Sequence, residues 1–212
     1  MLLNVRIENF LVYSASVDFS LLADKRRRFD GSVAESAGFS VLKSACLYGA
    51  NNVGKSCTLR AIRALKSILS GEKFPLVPNM FSDNTAVSLG VSFTADDKAY
   101  SFDFTYDTRT EKGAAQGFVY QRFAEYTGKK RREKELYVIN RDENVFSAKG
   151  IDAKDRKNVE IALKNTPFES LAPFYIENED FNAYAKILKD FASSVEFADI
   201  SDISLAKTVK VL

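Results

Sequence analysis

The sequence predicts a mixed α/β (α+β) fold, and three stretches of the chain support this prediction. The sequence G-A-N-N-V-G-K-S at residues 49–56 stands between a predicted strand at 40–48 and a predicted amphipathic helix at 57–70. Residues 85–148 alternate apolar and polar side chains with the period of antiparallel strands. Helical spacing returns after residue 150. We therefore predict three segments: N-terminal strands and a strand–loop–helix unit (1–84), an antiparallel β insertion (85–150), and a C-terminal helical segment (151–212).

Residues 49–56 match the pattern G-x-x-x-x-G-K-[ST] of a phosphate-binding loop. Gly49 and Gly54 let the backbone turn so that successive N–H groups face one phosphate group. Lys55 offers a positive charge to the β- and γ-phosphates, and the Ser56 hydroxyl is a ligand for Mg²⁺. We predict ATP–Mg²⁺ binding here, with Lys55 in the catalytic role. The predicted nucleotide contacts are Gly49, Ala50, Asn51, Asn52, Val53, Gly54, Lys55 and Ser56.

The composition bounds the class of protein. With 212 residues and 46% hydrophobic side chains, the chain can bury a substantial core. A net charge of +2 gives no overall attraction to polyanions. The two cysteines, Cys46 and Cys57, are too few for a disulfide framework and are predicted to be buried free thiols. Histidine is absent, which excludes histidine triads and histidine zinc ligands within this sequence. No signal peptide or long apolar run is visible, so we expect a cytoplasmic protein that does not enter membranes.

The N-terminal region is predicted to contain two paired strands, at residues 2–8 and 11–20. Residues 23–38 form a predicted long loop that contains the run Lys25-Arg26-Arg27-Arg28. This run is either a solvated charged loop or a loop that contacts phosphate groups. In the helix at 57–70, the predicted apolar side carries Leu59, Ile62, Leu65 and Leu69. Residues 71–84 are predicted to be a loop.

The β insertion is predicted to be a meander whose covered face carries Tyr100, Phe102, Phe104 and Tyr106. Its later strands are predicted at 118–126, 136–141 and 144–147, with turns at 127–129 and 142–144. The basic cluster Lys129-Lys130-Arg131-Arg132 lies in a hairpin, as a solvated tip or a nucleic-acid contact. Helices follow at 152–165 and 177–194, the second with Phe181, Tyr184, Ile187, Leu188 and Phe191 on its apolar stripe. Residues 195–212 are ambiguous.

The sequence lacks the second half of an ATPase site. Phosphoryl transfer to water needs a second carboxylate anchor and a group that orients the water. No run of four apolar residues followed by Asp-Glu occurs, and the nearest candidate is the short segment Phe174-Tyr175-Ile176-Glu177. No serine-rich signature of the L-S-G-G type is present either.

Several residues together resemble a known family. The opening Val5-Arg6-Ile7-Glu8-Asn9-Phe10 looks like the "I-x-N-F-x-S" start of SMC- and RecF-like ABC ATPases. The basic loop and residues 41–56 look closer to the stand-alone, OLD-related ATPases of bacterial phage-defence and abortive-infection systems. The likeness covers most of the chain, although its specific motifs lie in residues 3–65.

The resemblance implies an ABC-type P-loop NTPase head lobe that binds ATP–Mg²⁺, dimerises around it and controls an effector such as a nuclease or toxin. It places a metal-contacting glutamine in the inserted strands, where Gln121 is preferred over Gln116. In many ABC loops a hydroxyl residue stands where Cys57 is, so Cys57 would contribute only its backbone N–H to the nucleotide. The missing signature and acidic strand suggest the N-terminal part of a longer ATPase. We expect the 212 residues alone to bind ATP–Mg²⁺ and to hydrolyse it barely above background.

Two alternatives remain open at this stage. The chain could be a non-hydrolysing scaffold in which ATP binding alone orders an assembly. A DNA- or RNA-binding sensor that uses the two basic loops could overlay either reading. A small-molecule or nucleoside kinase is disfavoured, because the antiparallel insertion does not resemble a kinase lid.

Overall fold

The computed structural model describes residues 1–24, 31–51, 53–109, 117–127, 132–165 and 170–197. Within these residues, the strands are β1 (Leu2–Glu8), β2 (Val17–Ser20), β3 (Val33–Ser36), β4 (Phe39–Leu42), β5 (Ala86–Ala95), β6 (Lys98–Asp107), β7 (Gly117–Thr127), β8 (Arg132–Asn140) and β9 (Val145–Ala148). The helices are α1 (Lys55–Leu69), α2 (Ala153–Asn165), α3 (Glu179–Ser193) and a short 3₁₀ helix at Ala172–Phe174. The mixed α/β class predicted from the sequence is confirmed.

One antiparallel sheet organises the molecule. Its strand order is β2-β1-β5-β6-β7-β8-β9, and the predicted meander from β5 to β9 is confirmed. The predicted pairing of β1 with β2 is also confirmed, although β2 covers only Val17–Ser20. On its other side β1 pairs with β5, with Val5 opposite Val91. The N-terminal strands and the meander therefore share one sheet, and the division into three segments stays a prediction.

The covered face of this sheet is aromatic, as the alternation predicts. Tyr100, Phe102 and Phe104 are buried, and Tyr106 is partly buried against the same core. Helix α3 covers this face with the predicted stripe. Its Phe191 ring stacks on Phe93 with 4.1 Å between centroids. The core therefore lies between the sheet and α3, and α1 packs against both.

The buried side of α1 differs from the prediction. Ala61 and Ala64 are fully buried together with Leu65 and Leu69, whereas Leu59 is 53% exposed and Ile62 is only partly buried. The prediction depends on the large apolar residues alone. The small side chains of Ala61 and Ala64 let the helix approach its neighbours closely, so the helix turns that side inward and leaves Leu59 in solvent.

The segment before the phosphate-binding loop is also different. The predicted strand at 40–48 is wrong after Leu42, because β4 ends there and residues 44–49 have no regular secondary structure. The predicted loop at 23–38 is wrong at Val33–Ser36, which forms β3 and pairs with β4 in a separate hairpin. Among the described residues no strand pairs with 43–48. A strand without a neighbour has no ladder of hydrogen bonds to hold it.

Several other predictions can be placed. Residues 71–84 lack helix and strand as expected, and the turn before β9 is confirmed. Cys46 and Cys57 are free, as predicted, but Cys46 is exposed and Cys57 is only partly buried, so the prediction of buried thiols is wrong for Cys46 and not confirmed for Cys57. The run Lys25-Arg26-Arg27-Arg28, most of the cluster at 129–132 and residues 198–212 lie outside the described residues. No helix in the described part of the chain is long and apolar enough to cross a membrane.

Candidate functional site

Gly54 is the residue at which the phosphate-binding loop turns into α1. Its backbone is left-handed, with φ 98° and ψ 2°, and it caps the N-terminus of the helix. A Cβ at this position would lie 3.0 Å from both Val12 Cγ2 and Tyr13 Oη. L-residues other than glycine rarely adopt this conformation. The backbone and its neighbours thus both favour glycine at position 54.

The N-terminus of α1 offers N–H groups to an anion. No side chain caps it, and its first turn contains no acidic residue. The N–H groups of Cys57 and Thr58 donate to the Gly54 carbonyl at 2.9 and 3.1 Å. The N–H groups of Lys55 and Ser56 come before them in α1 and have no carbonyl of an earlier turn to bond. The whole helix carries Lys55, Arg60, Arg63 and Lys66 and no carboxylate. Unpaired amides, the helix dipole and these cations all attract negative charge.

The Lys55 side chain folds back over the loop. Its Nζ donates hydrogen bonds to the carbonyl oxygens of Gly49, at 2.8 Å, and Ala50, at 2.6 Å. The ammonium group therefore lies beside the first residues of the loop, Gly49 and Ala50. Ser56 follows in the first turn of α1 and is exposed. Asn51 and Val53 are exposed too, and Asn52 lies outside the described residues.

These residues fit a nucleotide triphosphate, and Ser56 fits a magnesium ligand. Mg²⁺ in nucleotide sites usually takes one or two protein ligands and completes its shell with phosphate oxygens and water. Among the described residues there is no group of three or more His, Cys, Asp or Glu side chains that could hold a metal ion by themselves.

A tyrosine from the N-terminal region holds this turn from outside. The hydroxyl of Tyr13 donates to the Gly54 carbonyl at 3.1 Å and lies 2.6 Å from Thr58 Oγ1. Sequence reasoning missed both residues. Tyr13 and Gly54 are separated by 41 positions, and no local pattern signals a contact over that distance.

A family comparison agrees with the geometry. The family described as "AAA domain, putative AbiEii toxin, Type IV TA system" matches residues 44–207, which is more than half of the chain. The chain belongs to this family. A comparison with curated proteins gives no match. Family membership supports a P-loop ATPase domain of the abortive-infection type, with the phosphate-binding loop near the start of the matched span.

The AAA domain holds Gln121 inside its core. Gln121 is fully buried on β7, and its Oε1 accepts a hydrogen bond from the backbone N–H of Ala172 at 2.8 Å. Its Nε2 has no hydrogen-bond partner among the described residues. The metal-contacting role given to Gln121 by resemblance stays a prediction, and in this structure its side chain is buried and bonded within the core. Gln116 lies outside the described residues.

The candidate acidic strand at 174–177 is not a strand in this AAA domain. Ala172–Phe174 forms a 3₁₀ helix, and Glu177 is exposed just before α3. The side chain of Asn178 accepts from the N–H groups of Asp180 and Phe181 and so caps α3. The acidic residues here belong to a helix start, where negative charge is favoured by the dipole.

Asn9 fixes the end of β1, four positions before Tyr13. It is 2% exposed, and its Nδ2 donates to the carbonyls of Asn84 at 2.5 Å and Ala86 at 2.9 Å. Its Oδ1 accepts from the Asn79 N–H at 3.3 Å. Asn9 therefore joins β1, the loop at 71–84 and β5, and it sets the path of the chain toward Tyr13.

Proposed function

We propose that this AAA domain binds ATP–Mg²⁺ through residues 49–57. The observation that carries the proposal is the left-handed Gly54, which leads into a helix start without a side-chain cap, with Lys55 Nζ beside the Gly49 and Ala50 carbonyls. Lys55 would exchange these carbonyls for oxygens of the β- and γ-phosphates. Such charge-assisted hydrogen bonds are stronger than those to neutral carbonyls.

The remaining roles follow from position. Ser56 would ligate Mg²⁺ through its exposed hydroxyl, and the first-turn amides of α1 would hold phosphate oxygens. Cys57 would contribute only its backbone N–H, which donates to Gly54 in this structure. When bound, Mg²⁺ would neutralise phosphate charge. The cytoplasm is the proposed location, because ATP is abundant there.

We also propose that two copies associate around the nucleotide and that this association controls an effector, a nuclease or a toxin. Two observations support it. The family description links the domain to a toxin and a toxin–antitoxin system. Beside the loop, Tyr48 is 90% and Val53 is 56% exposed, so apolar surface is available for a second copy to cover. A scaffold that binds ATP without hydrolysing it is the second candidate, because no acidic strand with a water-orienting group stands out in the sequence.

The Lys55→Ala variant tests the ATP site. Removing one charge-assisted contact to phosphate should weaken ATP–Mg²⁺ binding by about 10- to 100-fold. The free energy of unfolding should change little, since the Lys55 ammonium bonds exposed loop carbonyls. Affinity is measured by titration calorimetry, and unfolding by thermal melting without nucleotide.

The matched control is Arg63→Ala, which removes a cation from an exposed position two turns further along α1. It should leave ATP affinity within about threefold of wild type, because a solvent-exposed charge at this distance is largely screened. Equal losses in the two variants would mean that ATP is held by general positive charge. Unchanged affinity in Lys55→Ala would refute the assignment of the loop.

Assembly and turnover are separate measurements. Light scattering on the chain with and without ATP–Mg²⁺ should show a nucleotide-dependent doubling of mass if two copies associate. Phosphate release should stay near background if the chain acts as a binding lobe. Robust release that is lost in Lys55→Ala would instead show a catalytic carboxylate that the sequence did not reveal, with Glu177 the first to substitute.

A further inference from the structure

Three hydroxyl and carbonyl groups form a short chain beneath the phosphate-binding loop. Thr58 Oγ1 and Tyr13 Oη are 2.6 Å apart, and Tyr13 Oη is 3.1 Å from the Gly54 carbonyl oxygen. Thr58 is buried and Tyr13 is half-buried. The groups are satisfied together when Thr58 donates to Tyr13 and Tyr13 donates to the Gly54 carbonyl. The direct contact of Thr58 Oγ1 with the Gly54 carbonyl oxygen is longer, at 3.5 Å.

This hydrogen-bonded chain adds a restraint to the peptide plane that decides how the loop presents its amides, beside the N–H groups of Cys57 and Thr58 that bond the same Gly54 carbonyl. The Gly54 carbonyl belongs to the same peptide unit as the Lys55 N–H, so an anchor on the oxygen also orients that N–H. The Tyr13 ring limits Gly54 sterically as well, because an added Cβ there would lie 3.2 Å from Tyr13 Cζ. Loop residues 44–49 before this point have no strand ladder. The described restraints on the turn therefore act mainly from its C-terminal side.

We propose that Tyr13 is a positioning residue for the phosphate cradle: through Gly54 it preorganises the loop amides for a polyphosphate. Preorganisation raises affinity by lowering the ordering cost that binding must otherwise meet. This role of Tyr13 rests on the proposed function of the loop. Tyr13 lies outside the motif at 49–56, and it raises the affinity of the loop for a polyphosphate. Tyr13 contacts Gly54 and Thr58, and it acts on the ligand only through them.

The test measures binding of two probes, ATP–Mg²⁺ and inorganic tripolyphosphate–Mg²⁺, to wild type and to Tyr13→Phe. The substitution keeps the ring and removes only the hydroxyl. Tyr13→Phe loses one hydrogen bond that orders the cradle. The affinities for both probes should therefore fall by the same factor, about two- to tenfold. Tripolyphosphate lacks base and sugar, so an equal factor locates the effect in the phosphate cradle.

Two further variants separate positioning from general stability. Thr58→Val removes the other hydroxyl and should weaken binding of both probes by a smaller factor. The double variant with Tyr13→Phe should lose less affinity than the product of the two single factors, because the two hydroxyls act mainly through one hydrogen-bonded chain. Tyr126→Phe is the matched control. Its hydroxyl bonds Ser92 at 3.2 Å on the sheet, and its loss should leave both affinities unchanged.

The outcomes distinguish the inference from the function beneath it. If Tyr13→Phe binds both probes like wild type, or if the factors of the single variants multiply in the double variant, the positioning role is refuted and the ATP site stands. If wild type binds neither probe, the proposed function fails and the inference fails with it. A lower melting temperature with unchanged affinity would show that Tyr13 serves only the fold.

Discussion

Replacing Asn9 with alanine should strongly destabilise this domain. The Asn9 side chain is buried, and it satisfies the carbonyls of Asn84 and Ala86 and the N–H of Asn79. Asn9 also has φ 48°, a left-handed conformation that asparagine tolerates better than alanine. The substitution thus removes three hydrogen bonds and adds backbone strain at the same position.

The size of the effect can be worked out from these two parts. Leaving buried groups without partners costs about 1–3 kcal/mol, and the exposed position of Asn84 lets water replace some of that loss. The left-handed conformation adds about 1 kcal/mol for alanine. The free energy of unfolding should therefore fall by about 2–4 kcal/mol in Asn9→Ala. Asn9→Gly loses the same bonds without the strain, so it should be more stable than Asn9→Ala by about 0.5–1 kcal/mol.

Urea denaturation followed by far-ultraviolet circular dichroism gives these free energies. The control is Asn4→Ala on β1, which removes an exposed hydrogen bond to Asp18 and should change the free energy of unfolding by about 0.5 kcal/mol or less. The free energy of unfolding is expected to be highest for wild type, lower for Asn9→Gly and lowest for Asn9→Ala. If the free energy of unfolding falls by less than about 1 kcal/mol in Asn9→Ala, the stabilising role of the three buried Asn9 hydrogen bonds is refuted. An alanine variant more stable than the glycine variant would refute the strain.

Two other predictions concern the sheet. Gly90→Ala would place a Cβ 2.2 Å from Asp103 Oδ1 and push that carboxylate away from Arg6, so it should lower the free energy of unfolding by about 1 kcal/mol. In an Asp103→Ala background the same change should instead raise it by about 0.5 kcal/mol, and denaturation that shows equal effects in both backgrounds would contradict this. The hydrogen bond from Arg109 lowers the pKa of Asp107, so its stabilisation is present above the ordinary Asp pKa of about 4 and is lost as pH falls below it. Asp107→Asn should flatten the acid limb of a stability–pH curve, and an unchanged limb would show that Asp107 does not contribute.

The sequence predicted the sheet well because its information is local. From β5 to β9 each strand pairs with the next one along the chain, and alternation within each strand decides which side is buried. The prediction for α1 was less accurate, since Ala61 and Ala64 carry no strong apolar signal and yet are fully buried. The motif at 49–56 identified the loop from the sequence alone, whereas Tyr13 and Asn9 act through contacts over dozens of residues that no local pattern records.

The strand predicted before the loop shows why a motif does not fix its own support. Residues 43–48 include Leu47 and Tyr48 and so resemble a strand in sequence, but a strand persists only where a neighbour accepts and donates its backbone hydrogen bonds. No described strand does so here, and Tyr48 is 90% exposed.

The loop is instead restrained at its other end, where Tyr13 and Thr58 hold Gly54. Lys55 Nζ bonds the Gly49 and Ala50 carbonyls across the loop and so holds the N-terminal end of the loop. A bound polyphosphate would take Lys55 away from these carbonyls, and the polyphosphate would then have to order this end of the loop in its place. We therefore expect hydrogen exchange at residues 44–49 to slow on ATP–Mg²⁺ binding more than exchange at Gly54 and the first turn of α1. Equal slowing at both ends would show that the N-terminal side is already as ordered as the side that Tyr13 holds.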